Sequence, residues 1–241
     1  MRNSKLIVSP AVAVSAIVGV GAASAADLPV YTKAPPIVAP VYDWSGGYIG
    51  IEGGGGWGHS DQTDVRRTVA DGHFSVSGGL FGGTLGYNWQ TGPWVFGLEG
   101  DYSWSDISGQ SNICGFGPPH PCGTKLESLG TFRGRIGHTV GAMGSWLLYG
   151  TGGLAVGDVH GWDSLFPASG SAFRAGWTVG AGVETSFAPH WTAKLEYLYV
   201  DLGKSHLFDV VPGVPETVSF RANIVRVGVN YSFSGPVVAK Y

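Results

Sequence analysis

Charge is what this sequence has least of. Lys, Arg, Asp and Glu together make up 13% of its 241 residues, about half the share of an ordinary soluble domain. What charge there is leans acidic, with 14 basic residues against 17 acidic ones. Setting aside Arg2 and Lys5 of the N-terminal segment leaves 14 − 2 = 12 against 17, a formal charge near −5. Phosphate binding needs a basic face, so this balance argues against nucleic acid as a partner. Cysteine is nearly absent too, with Cys114 and Cys122 the only two. The seven histidines are scattered and no pair shows a metal-binding spacing, so no metal and no cofactor is expected. Nor does any stretch after residue 43 read as a linker.

What the chain has instead is glycine, 41 residues of it, and aromatics at 12%, nine of them Trp. Glycine clusters such as Gly53–Gly56 and GTGGLAVG (150–157) lack the Lys and the strand-to-helix setting of a phosphate loop. In a sheet they serve close packing and curvature.

The N-terminus reads as an export signal. Arg2 and Lys5 precede an apolar stretch from Leu6 to Val20, and Ala23-Ser24-Ala25 fits the A-x-A cleavage pattern. Residues 1–25 are therefore expected to be a cleaved signal peptide, the apolar part being too short for an anchor. Residues 26–43, ADLPVYTKAPPIVAPVYD, form a Pro-rich tail whose missing donors favour irregular, extended backbone.

From Trp44 onward the pattern is alternation, which sends successive side chains to opposite faces of a strand. Ile49, Ile51 and Trp57 share one parity, with Tyr48 and Glu52 on the other. Phe81, Leu85, Tyr87 and Trp89 oppose Thr84 and Asn88, and Trp94, Phe96, Leu98, Tyr102 and Trp104 oppose Glu99, Asp101 and Ser103. A fourth strand near residues 126–137 sets Leu126, Phe132 and Ile136 against Glu127, Arg133 and Arg135. The fifth, 146–157, is apolar or glycine on both parities and is assigned with Trp146, Leu148, Leu154 and Val156 outward. The sixth sets Trp177, Val179 and Val183 against Arg174, Thr178 and Glu184. In the seventh, Trp191, Leu195 and Tyr197 oppose Thr192, Lys194 and Glu196; in the eighth, Val225, Val227, Val229, Tyr231 and Phe233 oppose Arg226, Gly228 and Asn230.

Connections alternate as well: short ones near 91–93, 139–145 and 188–190, long ones near 58–73, 105–125, 158–172 and 203–218. Short turns on one side and long polar loops on the other mark an outer-membrane barrel. The fold expected is all-β, an eight-stranded antiparallel up-and-down transmembrane barrel over 44–233, with 234–241 as a C-terminal tail. Two rivals weigh less. Residues 73–99 and 138–158 are uncharged enough to suggest membrane helices, but their flanks alternate. A secreted sandwich would carry more Lys and Glu on its wet face.

The polar faces together hold five acids, Glu52, Glu99, Asp101, Glu184 and Glu196, and five bases, Arg133, Arg135, Arg174, Lys194 and Arg226. Eight strands enclose a space that side chains just fill, so these charges must pair or hold water. One reading is an ion path; the reading favoured by interior size is an ion-pair core inside a plugged barrel. Cys114 and Cys122, seven residues apart in CGFGPPHPC, are expected to form a local disulfide in an exported protein. A catalytic barrel would need Ser or Asp beside His at the outer rim, as Asp158–His160 or Ser205–His206 could supply; adjacent polar loop residues are common, and no enzyme is expected.

The segments YDWSGGYIG, GGTLGYNWQTGPWVFGLEGDYSW, GTFRGRIGHTVG, WLLYGTGGLAVG, GWTVGAGVETSFAPHWTAKLEYLYVDLG and NIVRVGVNYSFSGPVVAKY resemble the alphaproteobacterial outer-membrane immunogenic proteins, a porin-family, OmpA-like β-barrel group. The resemblance spans roughly residues 43–241. It implies an outer-membrane barrel with surface-exposed loops and a role in envelope structure. Alternatives that the group brings are a narrow porin for small solutes and a loop-mediated binder of haem or host surface. Implied partners are outer-membrane lipid, lipopolysaccharide and the barrel assembly machinery. Arg226, Gly228, Tyr231 and Phe233 resemble the insertion signal read by that machinery. The departure is that SGPVVAKY follows Phe233, which leaves Tyr241 as the alternative terminal aromatic.

Overall fold

The computed structural model describes residues 42–64, 70–114, 120–164, 168–211 and 214–234. The expected signal peptide, the tail up to residue 41 and residues 235–241 lie outside these. Eight strands follow in chain order: β1 (Gly46–Asp64), β2 (Ala70–Thr91), β3 (Trp94–Cys114), β4 (His120–Val140), β5 (Trp146–Asp163), β6 (Ala168–Ala188), β7 (Trp191–Val211) and β8 (Val214–Ser232). Each pairs antiparallel with the next, and β1 pairs with β8 from Tyr48↔Ser232 to Asp64↔Glu216, closing the barrel. Closure leaves no strand edge unpaired, the condition for crossing lipid with strands. Among the described residues no helix is long and apolar enough to cross a membrane. The two uncharged stretches considered as helices lie in the β2–β3 and β4–β5 hairpins.

Alternation decides which residues meet lipid. Ile51, Phe81, Leu85, Trp104, Phe132, Leu154, Trp177 and Val227 are all at least half exposed on the outer wall. A soluble domain would not leave such a band uncovered. Trp89, Trp94, Trp146 and Trp191 gather near the short turns, while Trp57, Trp104 and Trp177 lie further along their strands. These are the two aromatic girdles expected at membrane interfaces.

The strands run 18 to 22 residues, about twice the ~9–11 needed to cross a bilayer. The excess lies past the upper girdle, on the side away from the short turns. This corrects the long loops expected from sequence. Most of 58–73, 105–125, 158–172 and 203–218 is continued strand, because polar alternation still satisfies the ladder once no lipid face is required. There the outer face turns polar: Lys125 reaches Asp106 across 2.9 Å on the exposed wall.

One facing departs from the alternation. Leu126 shares its parity with the outward Phe132 and Ile136, yet it is fully buried and Glu127 is exposed. The β4–β5 register shifts between Leu126 and Ser128. That bulge adds one residue and exchanges the two faces beyond it. The fifth strand, ambiguous in sequence, has Leu148 and Leu154 outward, with Leu147, Tyr149 and Ala155 buried inside.

Candidate functional site

The barrel interior is stratified. From the level of the upper girdle outward it is mainly apolar, a cluster including Leu80, Ile107, Leu126, Leu198, Leu202, Phe220 and Ile224. Below this, at membrane depth, lies the charged layer. All ten lumen residues named from sequence are buried, none more than 8% exposed. Period-two geometry puts them there: inward positions recur every second residue, so Glu99 and Asp101, Arg133 and Arg135, and Lys194 and Glu196 each enter as pairs.

Register then matches the charges across strands. Glu99 lies directly opposite Arg133, and Glu196 opposite Arg226. Arg133 donates to Glu99 Oε1 at 2.5 Å, Asp101 Oδ2 at 3.0 Å and Glu196 Oε1 at 2.9 Å. Its Nε donates to Thr131 Oγ1 at 2.8 Å. Arg226 binds Glu52, Asp101 Oδ1 at 3.0 Å and Glu196 Oε2 at 2.7 Å. Lys194 Nζ sits 2.9 Å from Glu52 and 3.3 Å from Glu99. Arg135 reaches Glu184 at 2.7 Å and stacks over Tyr149, 4.2 Å from the ring centroid.

These bonds cross the lumen as well as following its wall. Arg133 on β4 holds Glu196 on β7, and Arg226 on β8 holds Asp101 on β3. The guanidinium fork suits this, since its fixed donors engage several carboxylates at once. In hydrocarbon-depth surroundings a lone buried charge would be costly, and only multiple partners offset the lost hydration. Arg174 lies apart from this layer, buried further along β6 toward the long hairpins.

Sequence parity put Tyr48, Thr192 and Asn230 inward without their bonds to the charges, and it missed Thr131 and Tyr149. Tyr48 donates to Glu99 at 2.7 Å and Tyr149 to Glu196 at 3.1 Å. Thr131 donates to Asp101, and Thr192 and Asn230 to Glu184. For Thr131 the available signal was its parity, shared with Arg133 and Arg135; Tyr149 offered none, its strand being apolar or glycine on both parities. Two glycines make room for the tyrosines: a Cβ at Gly86 would strike the Tyr48 ring, and one at Gly182 the Tyr149 ring. Gly228 faces Lys194 in register, where a Cβ would come 3.0 Å from Lys194 Cε. A packing reason therefore accompanies its place in the insertion pattern.

The other sequence-level candidates separate from this layer. Cys122 is disulfide-bonded near the tip of the β3–β4 hairpin, while the side chain of Cys114 lies outside the described residues. Asp158 and His160 sit two apart on β5, both half-exposed; the side chains of Ser205 and His206 lie outside the described residues. No group of His, Cys, Asp or Glu suited to a metal occurs among the described residues.

Several known proteins are similar to this chain. The "31 kDa outer-membrane immunogenic protein" of Brucella melitensis biotype 1 is 39% identical over 88% of this chain and 93% of its own. The "22 kDa outer membrane protein" of Rhizobium leguminosarum bv. viciae is 36% identical over 81% of each. Among solved structures, the Pseudomonas aeruginosa outer membrane protein OprG covers 78% of this chain and 97% of its own at 14% identity, with a TM-score of 0.49. The chain matches the outer membrane protein beta-barrel domain over residues 12–233. It is an outer-membrane β-barrel protein belonging to that family.

Proposed function

We propose that this barrel is a sealed, non-enzymatic component of the outer membrane that contributes to envelope integrity and holds four long β-hairpins beyond the outer surface. The observation that carries the reading is the charged layer. Five acids and four bases are interlocked across the lumen and withdrawn from water. An eight-stranded wall leaves no lumen beyond what these side chains fill. A water-filled channel would leave polar lining atoms solvated, whereas here they bond to each other. The apolar stratum above adds a second barrier to ions.

Outer-membrane lipid and lipopolysaccharide are the surroundings that the lipid-facing band and its polar continuation fit. The Arg226–Phe233 segment is the part proposed to engage the barrel assembly machinery. Solute leakage tests the sealed reading. Protein refolded into liposomes, and shown to migrate differently before and after boiling, is expected to leave sugar-swelling rates at those of protein-free vesicles. Size-dependent swelling would instead support the narrow porin.

A further inference from the structure

We infer that residues Tyr42–Trp44 are a stopper that closes the periplasmic mouth of the barrel, a seal separate from the charged layer above it. The inference rests on the sealed-barrel reading and adds to it.

Three observations carry it. First, these residues stand before β1 in a stretch with no strand pairing, yet Trp44 is 4% exposed and Tyr42 is buried beside it. Their rings meet edge to face, 4.9 Å apart. They pack with Val95, Leu147 and Tyr149, which point inward from β3 and β5. A segment merely leading into a strand would leave two large aromatic rings in water.

Second, the segment is fastened at points well apart around the rim. Trp44 N donates to Gln90 Oε1 on β2 at 2.8 Å. The Trp44 indole N–H donates to Gly144 O at 2.9 Å, and Tyr42 N donates to Met143 O at 2.9 Å. Gly144 and Met143 belong to the β4–β5 turn, about half-way around a ring of eight strands from β1. The segment therefore crosses the opening.

Third, that turn is shaped to receive it. Met143 has φ 65 and ψ 14, the left-handed region that side chains other than glycine avoid. A residue is held there only when its surroundings over-determine it. Here the carbonyls of Met143 and its neighbour Gly144 face the incoming segment and accept its two donors.

The test is thiol accessibility in the full chain, with the native cysteines left oxidised. Val95 is 0% exposed and lies beneath the stopper. In folded V95C, a charged maleimide is expected to react slowly. Adding Trp44→Ala should raise the labelling rate about tenfold or more, because modification of a buried group follows the population of the opened state. Trp44→Phe should restore most of the protection. Gln90→Ala, which removes one fastening and no ring, is a second variant if W44A fails the heat-modifiability check; it should raise the rate by a smaller factor. Equal rates in V95C with and without Trp44, or with and without Gln90 where W44A does not fold, would overturn the stopper. Bilayer conductance of the W44A chain separates the two seals. It should stay closed, because the charged layer remains; an open W44A chain would overturn sealing by that layer and leave the stopper standing.

Discussion

Arg133 offers the sharpest perturbation of the charged layer. Its guanidinium is fully buried and bonded to Glu99, Asp101, Glu196 and Thr131. It lies outside the Arg226–Phe233 insertion pattern, so a stability effect is not confused with a targeting one. Arg133→Met keeps an unbranched apolar stem but removes the guanidinium, leaving five carboxylates facing three cations. Removing one partner of a buried ion pair costs about 3–5 kcal/mol, since the stranded charge keeps its desolvation penalty. At ~1.4 kcal/mol per decade this lowers the folding equilibrium constant by roughly a hundredfold to several thousandfold. The assay is urea unfolding of the protein in lipid vesicles, followed by the gel shift between folded and unfolded forms. Adding Glu196→Gln to R133M should recover part of the loss, because that carboxylate then no longer demands a cation and Arg226 still serves Glu52 and Asp101. A change below about 1 kcal/mol in R133M would mean that the layer is hydrated and loosely bonded. The sealed reading would fall with it.

Four further outcomes follow from the geometry. Leu98→Arg, on the lipid-facing wall between Trp94 and Trp104 of β3, should destabilise insertion by about 2–4 kcal/mol, whereas Ser77→Lys, outward and level with the girdle residue Trp57, should be near neutral; vesicle unfolding compares them. Gly86→Ala must displace the Tyr48 ring, at a cost of about 1–3 kcal/mol. Gly134→Ala, where a Cβ would meet nothing nearer than 4.0 Å, should be silent. Mass spectrometry of unreduced peptides should find Cys114 joined to Cys122, and reduction should leave heat-modifiability intact, since the bond staples a hairpin tip outside the membrane. Burial pushes the Tyr42 phenol above its ordinary range, a hydrogen bond from Ser186 pulling the other way. Its share of stopper stability is therefore complete below pH ~10 and is lost as pH rises through the raised value. Tryptophan fluorescence should report release only in alkali, and release on acidification would contradict this.

Much of the barrel was legible because lipid imposes a simple rule. An outward face that must be apolar, set against an inward face that carries charge, gives strand number, facing and the ten lumen residues from parity alone. Two kinds of feature escape that rule. A bulge such as the one at Leu126 changes parity by one residue, and nothing in TKLESLG announces it. Beyond the upper girdle there is no lipid to enforce contrast, so strand looks like polar loop. Pairing partners were hidden for a related reason: Glu99 meets Arg133 only through register, which the turn between strands fixes. Tyr149 carries no charge and lies on a strand that is apolar or glycine on both parities, so its lumen-facing ring was hidden, whereas Tyr48 shared an inward parity with Glu52 and only its bond to Glu99 waited on register. Trp44 marked where alternation starts, but the bonds that place it across the mouth come from a turn about a hundred residues away.

Planar-bilayer recording on the heat-modifiable, refolded full chain tests the central claim most directly. A barrel filled by its own ion pairs should leave the membrane at baseline, with no stable open level in the parent protein. A long-lived, large-conductance open state in that same sample would contradict it.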